Sequence, residues 1–297
     1  MIPEFLIQKL QNQYGEELTK KIIEGYNKKR KVTLRVNTLK SNIKEIEDVL
    51  QKNNIKYKTA GWSKEALIIE NVREAEIIKL KIYEEGKIYL QSLSSMLPPI
   101  ILKPEENEDI LDMAAAPGGK TTQMAALINN KARITACEMN AIRAERLKYN
   151  IEKQGASSVY VMITDSRKID DFFSFDRILL DAPCSGSGTL YSEDEKIEKT
   201  FTPKLIQKSI KAQTQLLKKA INILKPGKEM TYSTCSILQE ENEDIVNNIL
   251  KNKKVEIVPI EIDKNIPVLP TKIKGTLCVC PNEEYEGFFI AKIRKIK

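Results

Sequence analysis

Two of the five cysteines stand apart from the rest. Asp181-Ala-Pro-Cys-Ser-Gly-Ser-Gly188 and Tyr232-Ser-Thr-Cys-Ser236 each place a cysteine, Cys184 or Cys235, just beyond an apolar run. A single cysteine behind a strand is usually a small buried hydrophobe. Two at neighbouring strand ends point instead to thiol chemistry, because a partly exposed, electropositive setting lowers a thiol's pKa and supplies thiolate. The chain has no histidine, which excludes Ser-His-Asp and Cys-His catalysis, His-ligated zinc and an imidazole base. Proton transfers fall to carboxylates, thiols, lysine, tyrosine or water, and no metal is expected.

A second constellation is Ala114-Ala-Ala-Pro-Gly-Gly-Lys-Thr121, which follows the apolar run Ile110-Leu-Asp-Met113 and opens a helical segment. Side chains this small let a ligand touch the backbone, and free N–H groups at a helix start favour a carboxylate or phosphate. The Gly-Lys-Thr ending suggests a P-loop, but that pattern needs glycine where Ala114 stands. Glu138 ends the next apolar run, where nucleoside-binding α/β folds present an acid to ribose hydroxyls, and Asp165 ends the one after. Each acid taken singly is more often a solvated strand end. At successive strand ends on one rim, with the loop, they predict an adenosine-containing cofactor.

These residues need a parallel sheet to hold them. From Asp109 onward short apolar runs alternate with amphipathic segments, which predicts a doubly wound α/β domain with a parallel sheet covered on both faces. The runs are Ile110–Met113, Arg133–Cys137, Val159–Ile163, Arg177–Leu180, Glu229–Tyr232, Val255–Val258 and Phe288–Ala291, with helices starting near Thr121, Ala141, Pro203 and Asn242. Before them, Phe5, Leu6, Leu10, Leu18, Ile22 and Ile23 recur at helical spacing, broken at Gly15. Strands over Val32–Val36, Ala66–Ile69 and Lys87–Leu90, with a helix over Ile43–Leu50, predict a small α+β module ending near residue 90.

The chain has 297 residues with 41% hydrophobic content, enough for one sizeable core and a small second one. An odd number of scattered cysteines fits a reducing compartment better than a disulfide framework. No stretch approaches the roughly 18 uncharged residues of a membrane span, so a soluble, cytoplasmic protein without a signal peptide is expected. The net charge of +7, from 48 basic and 41 acidic residues, permits a nucleic-acid partner. The run Lys28-Lys29-Arg30-Lys31, with Arg35 and Lys40, is the candidate phosphate-contacting patch. Its bland alternative is a solvated helix end and turn.

The sequence resembles the RNA cytosine-C5 methyltransferases of the bacterial Sun and eukaryotic NOP2/NSUN type. The resemblance rests on Ala115 to Lys120, Asp181-Ala-Pro-Cys-Ser-Gly186, and Tyr232-Ser-Thr-Cys-Ser236 followed by Glu240-Glu-Asn-Glu243. Arg35-Val-Asn-Thr-Leu39, Gln91-Ser-Leu-Ser-Ser-Met96 and Gly287-Phe-Phe-Ile-Ala291 also match, so it runs from about residue 3 to the end. It implies that Ala114, Ala115, Ala116, Pro117, Gly118, Gly119, Lys120, Glu138, Arg143, Asp165 and Asp181 line an S-adenosyl-L-methionine site. It further implies that Cys235 is the nucleophile, that Cys184 helps release product, and that residues 1–90 form an RNA-binding module ahead of a methyltransferase domain at 91–297. Ala114 departs from the family's usual cysteine, Gln123 from its frequent histidine, and Cys278-Val-Cys280 from its basic or aromatic residue.

The chemistry implied is specific. C5 of cytosine is a weak nucleophile, so a thiolate first adds to C6 and pushes electron density onto C5, which then takes the cofactor's methyl. Asp181 is expected to hold the base through N3 or N4, and Lys120 to meet developing negative charge or a phosphate. The C5 proton leaves to a water held by Cys184 or to a carboxylate. The base must be unstacked, so the expected partner is structured RNA, ribosomal RNA first and transfer RNA second, acted on by a monomer. Two alternatives stand: a DNA cytosine-C5 methyltransferase with Pro183-Cys184 as its nucleophile motif, and an inactive assembly factor that only binds RNA.

Overall fold

A computed structural model describes residues 2–251 and 254–297. The chain opens on α1 (Glu4–Tyr26), whose helical path breaks at Gly15 (φ 78°, ψ 175°). Leu6, Leu10, Ile22 and Tyr26 form its fully buried stripe, the spacing of an amphipathic helix.

Next come β1 (Val32–Val36), α2 (Ile43–Lys52), β2 (Tyr57–Thr59), β3 (Ala66–Ile69), α3 (Glu74–Ile77), α4 (Lys81–Glu84) and β4 (Ile88–Leu90). The strands pair antiparallel in the order β2-β3-β1-β4. Asn42 caps α2 by accepting the Glu45 N–H at 3.0 Å, which satisfies one of the free donors of the first turn. Ile46 and Leu50 of α2 then pack on Leu34, Val36, Leu67, Ile69 and Ile88, a core drawn wholly from this segment.

After α5 (Leu93–Leu102) come β5 (Asp109–Asp112), α6 (Gly119–Leu127), β6 (Arg133–Cys137), α7 (Ala141–Gln154), β7 (Val159–Met162) and β8 (Phe175–Asp181). β6 runs parallel to β5 and to β7, and β8 parallel to β5 on its other side. The strand order therefore reverses at β5, and ligands in such sheets collect beyond the carboxyl ends at that point. Ile110, Ile134 and Leu179 of these strands meet Met124, Ala125 and Ile128 in one core.

The remainder is α8 (Ile197–Thr200), α9 (Pro203–Ile223), β9 (Leu224–Thr234), α10 (Glu243–Leu250), β10 (Val255–Ile257), β11 (Val268–Leu269), β12 (Leu277–Val279) and β13 (Phe288–Lys295). Here the structure corrects the expectation of parallel strands throughout: β13 pairs antiparallel with β9, β10 and β12, and β11 with β12. Apolar runs report burial on both faces; they carry no strand direction. Packing forms two compact units, one of α1 through Arg30 with the chain from Leu180 on, the other Lys31–Leu179. Among the described residues no helix is long and apolar enough to cross a membrane.

Candidate active site

Within the unit 31–179, the loop Ala114–Lys120 hangs between β5 and α6, fixed by a carboxyl that sequence reading passed over. Asp112, buried at the end of β5, accepts from the Thr121 hydroxyl at 2.7 Å and the Ala114 N–H at 3.4 Å, tying both ends of the loop to one side chain. Ala115 N–H donates to Cys137 O at 2.9 Å, and the Ser166 hydroxyl donates to Met113 O at 2.6 Å. The loop is thus stapled to the ends of the two neighbouring segments. Gly118 has φ 111°, where a side chain is strained, and a Cβ would lie 3.1 Å from Leu147 Cδ1. Half-buried Lys120 sits in the first turn of α6.

The acids of the same rim are already engaged. Glu138, 4% exposed, accepts the Asn140 N–H at 2.8 Å and pairs with Arg143 Nη1 at 3.3 Å. Arg143 Nη2 donates to Ala116 O at 2.8 Å, so Arg143 links Glu138 to the loop. Asp165 caps a short 3-10 turn and is gripped by Arg167, at 2.9 and 3.1 Å through Nε and 2.6 Å through Nη2. Those bonds hold the Asp165 carboxyl below the usual carboxylate range. Loop, Glu138 and Arg143 are therefore bonded to one another, and Asp165 stands next to the Ser166 that is tied to Met113. Two carboxyls for hydroxyl or ammonium groups, beside a loop of small residues at a helix start, suit a nucleoside cofactor with a charged tail.

In the other unit the thiols meet. Cys184 Sγ and Cys235 Sγ are 3.0 Å apart, whereas Cys278 and Cys280 are buried, as Cys137 is in the unit 31–179. The hydrogen bond to Cys235, burial and the nearby Glu241 carboxyl push the Cys184 thiol well above its ordinary pKa. Asp181 Oδ1 accepts from the Ser233 hydroxyl at 2.7 Å, and Ala182 N–H donates to Ser233 O at 2.8 Å. The ends of β8 and β9 are joined there. Gly188 approaches Gly287 so closely that a Cβ would lie 2.0 Å from the Gly287 carbonyl oxygen, so no side chain fits. Gly188 N–H meanwhile donates to Cys235 O at 2.9 Å.

Two arginines of the basic run are built into the fold rather than offered to a ligand. Arg30 donates to the carbonyls of Thr189, Gly188 and Leu190 at 3.2 to 3.3 Å, clamping the segment that follows Cys184. Arg35, only 4% exposed, donates to Gln91 Oε1 and Thr122 Oγ1, each at 3.1 Å. Lys40 Nζ donates to Lys153 O at 2.7 Å. Lys28, Lys29 and Lys40 are exposed and Lys31 is half-buried. Besides Asp112, sequence reading missed Glu241, fully buried and bonded to the residues after both thiols. Its one signal was its place in the Glu240–Glu243 motif.

The family model described as 16S rRNA methyltransferase RsmB/F matches residues 99–294, and one described as an RsmF/B-like, ferredoxin-like domain matches residues 2–76. The chain belongs to the RsmB/F methyltransferase family. It is 34% identical over 308 residues to a 28S rRNA (cytosine-C(5))-methyltransferase of Mus musculus, covering 98% of this chain and 38% of that one. It is also 34% identical over 312 residues to the tRNA (cytosine(49)-C(5))-methyltransferase of Pyrococcus abyssi, covering 95% and 99%. The crystal structure of NSun6 from Pyrococcus horikoshii with SFG matches at a TM-score of 0.87 and 26% identity, over 100% of this chain and 99% of that one. This RsmB/F-family chain thus spans well under half the length of its mammalian relative. The Rossmann-like methyltransferase fold with a small α+β module ahead of it in the chain, expected from the sequence, agrees with the structural match and with the two family models.

Proposed function

We propose that this chain transfers a methyl group from S-adenosyl-L-methionine to C5 of a cytosine in structured RNA, ribosomal or transfer, in the cytoplasm and as a monomer. The observation that carries the reading is the pair of thiols at 3.0 Å, because a cytosine-C5 transfer needs one sulfur to add and a second group to manage the later proton. Relatives named for either RNA class are 34% identical to this chain, and it covers 99% of the one named as a tRNA enzyme.

The cofactor supplies an electrophilic methyl. The chain's own residues do the rest. Ala114 to Lys120 offer backbone to its charged tail, Glu138 and Asp165 accept its hydroxyls, and Arg143 keeps Glu138 and the loop in register. Cys235 Sγ adds as thiolate to C6 of the base, forming the S–C6 bond and moving the C5–C6 electron pair to C5. Asp181, oriented by Ser233, holds the base edge, and Lys120 neutralises developing charge. After C5 takes the methyl, its proton passes to a water held by Cys184, the C5–H electron pair restores the C5–C6 double bond, and Cys235 is released with the S–C6 pair. Residues 1–90 form the RNA-binding module and 91–297 the methyltransferase domain. The family matches over residues 2–76 and 99–294 and the self-contained core between Leu34 and Ile88 support a separate module at this end of the chain, while α1 packs with the chain from Leu180 on and not with that core.

Transfer of tritiated methyl from S-adenosyl-L-methionine to total RNA tests the reaction. Label in 5-methylcytosine that is lost with ribonuclease is the expected result. Label that follows DNA, or none at all with cofactor bound, contradicts it.

A further inference from the structure

The Glu240–Glu243 motif is left unexplained by the reaction, yet one of its members touches both thiol segments. Glu241 is fully buried. Its Oε1 accepts the Ser185 N–H at 2.7 Å and Gln213 Nε2 at 3.3 Å, and its Oε2 accepts the Ser185 hydroxyl and, at 2.6 Å, the Ser236 hydroxyl. Ser185 follows Cys184 and Ser236 follows Cys235. A carboxyl has about four lone-pair sites on two oxygens, which lets one side chain take a backbone N–H, an amide and two hydroxyls together. Gln213 also donates to Pro183 O at 3.0 Å, adding α9 to the same brace. Tyr232 OH donates to Glu241 O at 2.7 Å, fixing the backbone from which the carboxyl reaches.

We propose that Glu241 is the positioning residue that sets the separation of Cys184 and Cys235, by holding the residue after each thiol on one buried carboxyl. This rests on the reading of the two thiols as the working groups of the methyl transfer. A role as thiol activator is disfavoured on two grounds. The hydrogen bonds of the Glu241 carboxyl go to Ser185, Gln213 and Ser236 rather than to a sulfur. Its charge also pushes the Cys184 thiol up, away from thiolate. Glu241 acts through geometry.

The test uses the full chain with Glu241→Ala, Glu241→Gln and the double variant Ser185→Ala/Ser236→Ala. Closure of Cys184 and Cys235 into a disulfide by diamide, read by peptide mass mapping, reports thiol proximity without RNA or cofactor. Methyl transfer is measured in parallel as kcat and KM. Because a misplacement of about 1 Å can cost about 10²-fold, Glu241→Ala is expected to slow closure at least ~10-fold and to lower kcat similarly, with cofactor KM unchanged. Glu241→Gln keeps an acceptor for the Ser185 N–H, while the hydroxyls turn to accept from its amide, so it stays within about threefold of wild type. If Glu241→Ala does not fold, the double variant decides, since it removes the two hydroxyl struts and leaves the carboxyl. Wild-type closure and kcat in a folded Glu241→Ala, or in the double variant, overturn the proposal, as does a Gln variant as slow as Ala. Should wild type methylate no RNA, the methyltransferase reading fails while the closure rates still decide the role of Glu241.

Discussion

Cys184 Sγ lies 3.0 Å from Cys235 Sγ although 51 positions separate the two residues in the chain. The contact itself and burial push the Cys184 thiol up. The proposed reaction gives the two thiols different steps.

Glu138 is expected to matter for cofactor affinity twice over, directly and through Arg143 and the Asn140 N–H. Each hydrogen bond removed costs roughly 0.5 to 1.5 kcal/mol, more where a charged group takes part. Calorimetry should show Glu138→Ala binding S-adenosyl-L-methionine at least about tenfold more weakly, and Glu138→Gln, which keeps an acceptor for Asn140, weakened less. Wild-type affinity in Glu138→Ala would remove Glu138 from the cofactor site.

The Asp165–Arg167 pair predicts a pH dependence of stability. The bonds from Arg167 lower the folded-state pKa of Asp165, so the unfolded chain binds the proton more readily. The stabilisation is complete above the unfolded value of about 3.9 and is lost as pH falls through the folded value. Urea denaturation near neutrality and below about pH 3 should show wild type losing more stability on acidification than Asp165→Asn. Equal losses would mean the pair contributes nothing to folding.

The basic run separates by burial. Arg35→Met leaves Gln91 Oε1 and Thr122 without their guanidinium donor and should destabilise the fold by roughly 1 to 3 kcal/mol. Lys28→Ala with Lys29→Ala, both exposed, should leave stability within about 0.5 kcal/mol. The same pair of changes should flatten the salt dependence of RNA binding by roughly 0.7 for each phosphate that is no longer neutralised. Thermal melts and binding titrations at several salt concentrations check both. A destabilised lysine double variant with an unchanged salt slope would reverse the assignment.

Much of this site was legible in the sequence because its parts are local. The Ala114–Lys120 loop, the acids ending strands and the cysteines behind apolar runs are written in adjacent residues, and Gly15 broke α1 where its type predicted. What stayed hidden depends on contacts between distant segments. Glu241 reaches back 56 positions to Ser185, and no spacing rule connects a carboxyl to a loop that far upstream. Arg30 and Arg35 looked like phosphate binders because charge type says nothing of side-chain direction. The antiparallel pairing of β9 with β13 was hidden for a similar reason, since burial pattern does not encode direction.

The central claim is tested most directly by trapping the covalent adduct. With structured RNA and S-adenosyl-L-methionine, Cys184→Ala should add to the base and methylate once but fail to let go, giving a slowly migrating protein–RNA band on a denaturing gel. Cys235→Ala should form no adduct and lose essentially all turnover while still binding RNA and cofactor, and the double variant should show no band. A band from Cys235→Ala but not from Cys184→Ala would make Cys184 the nucleophile. No band from either, with turnover retained in both, would contradict the account outright and leave the two thiols as packing residues.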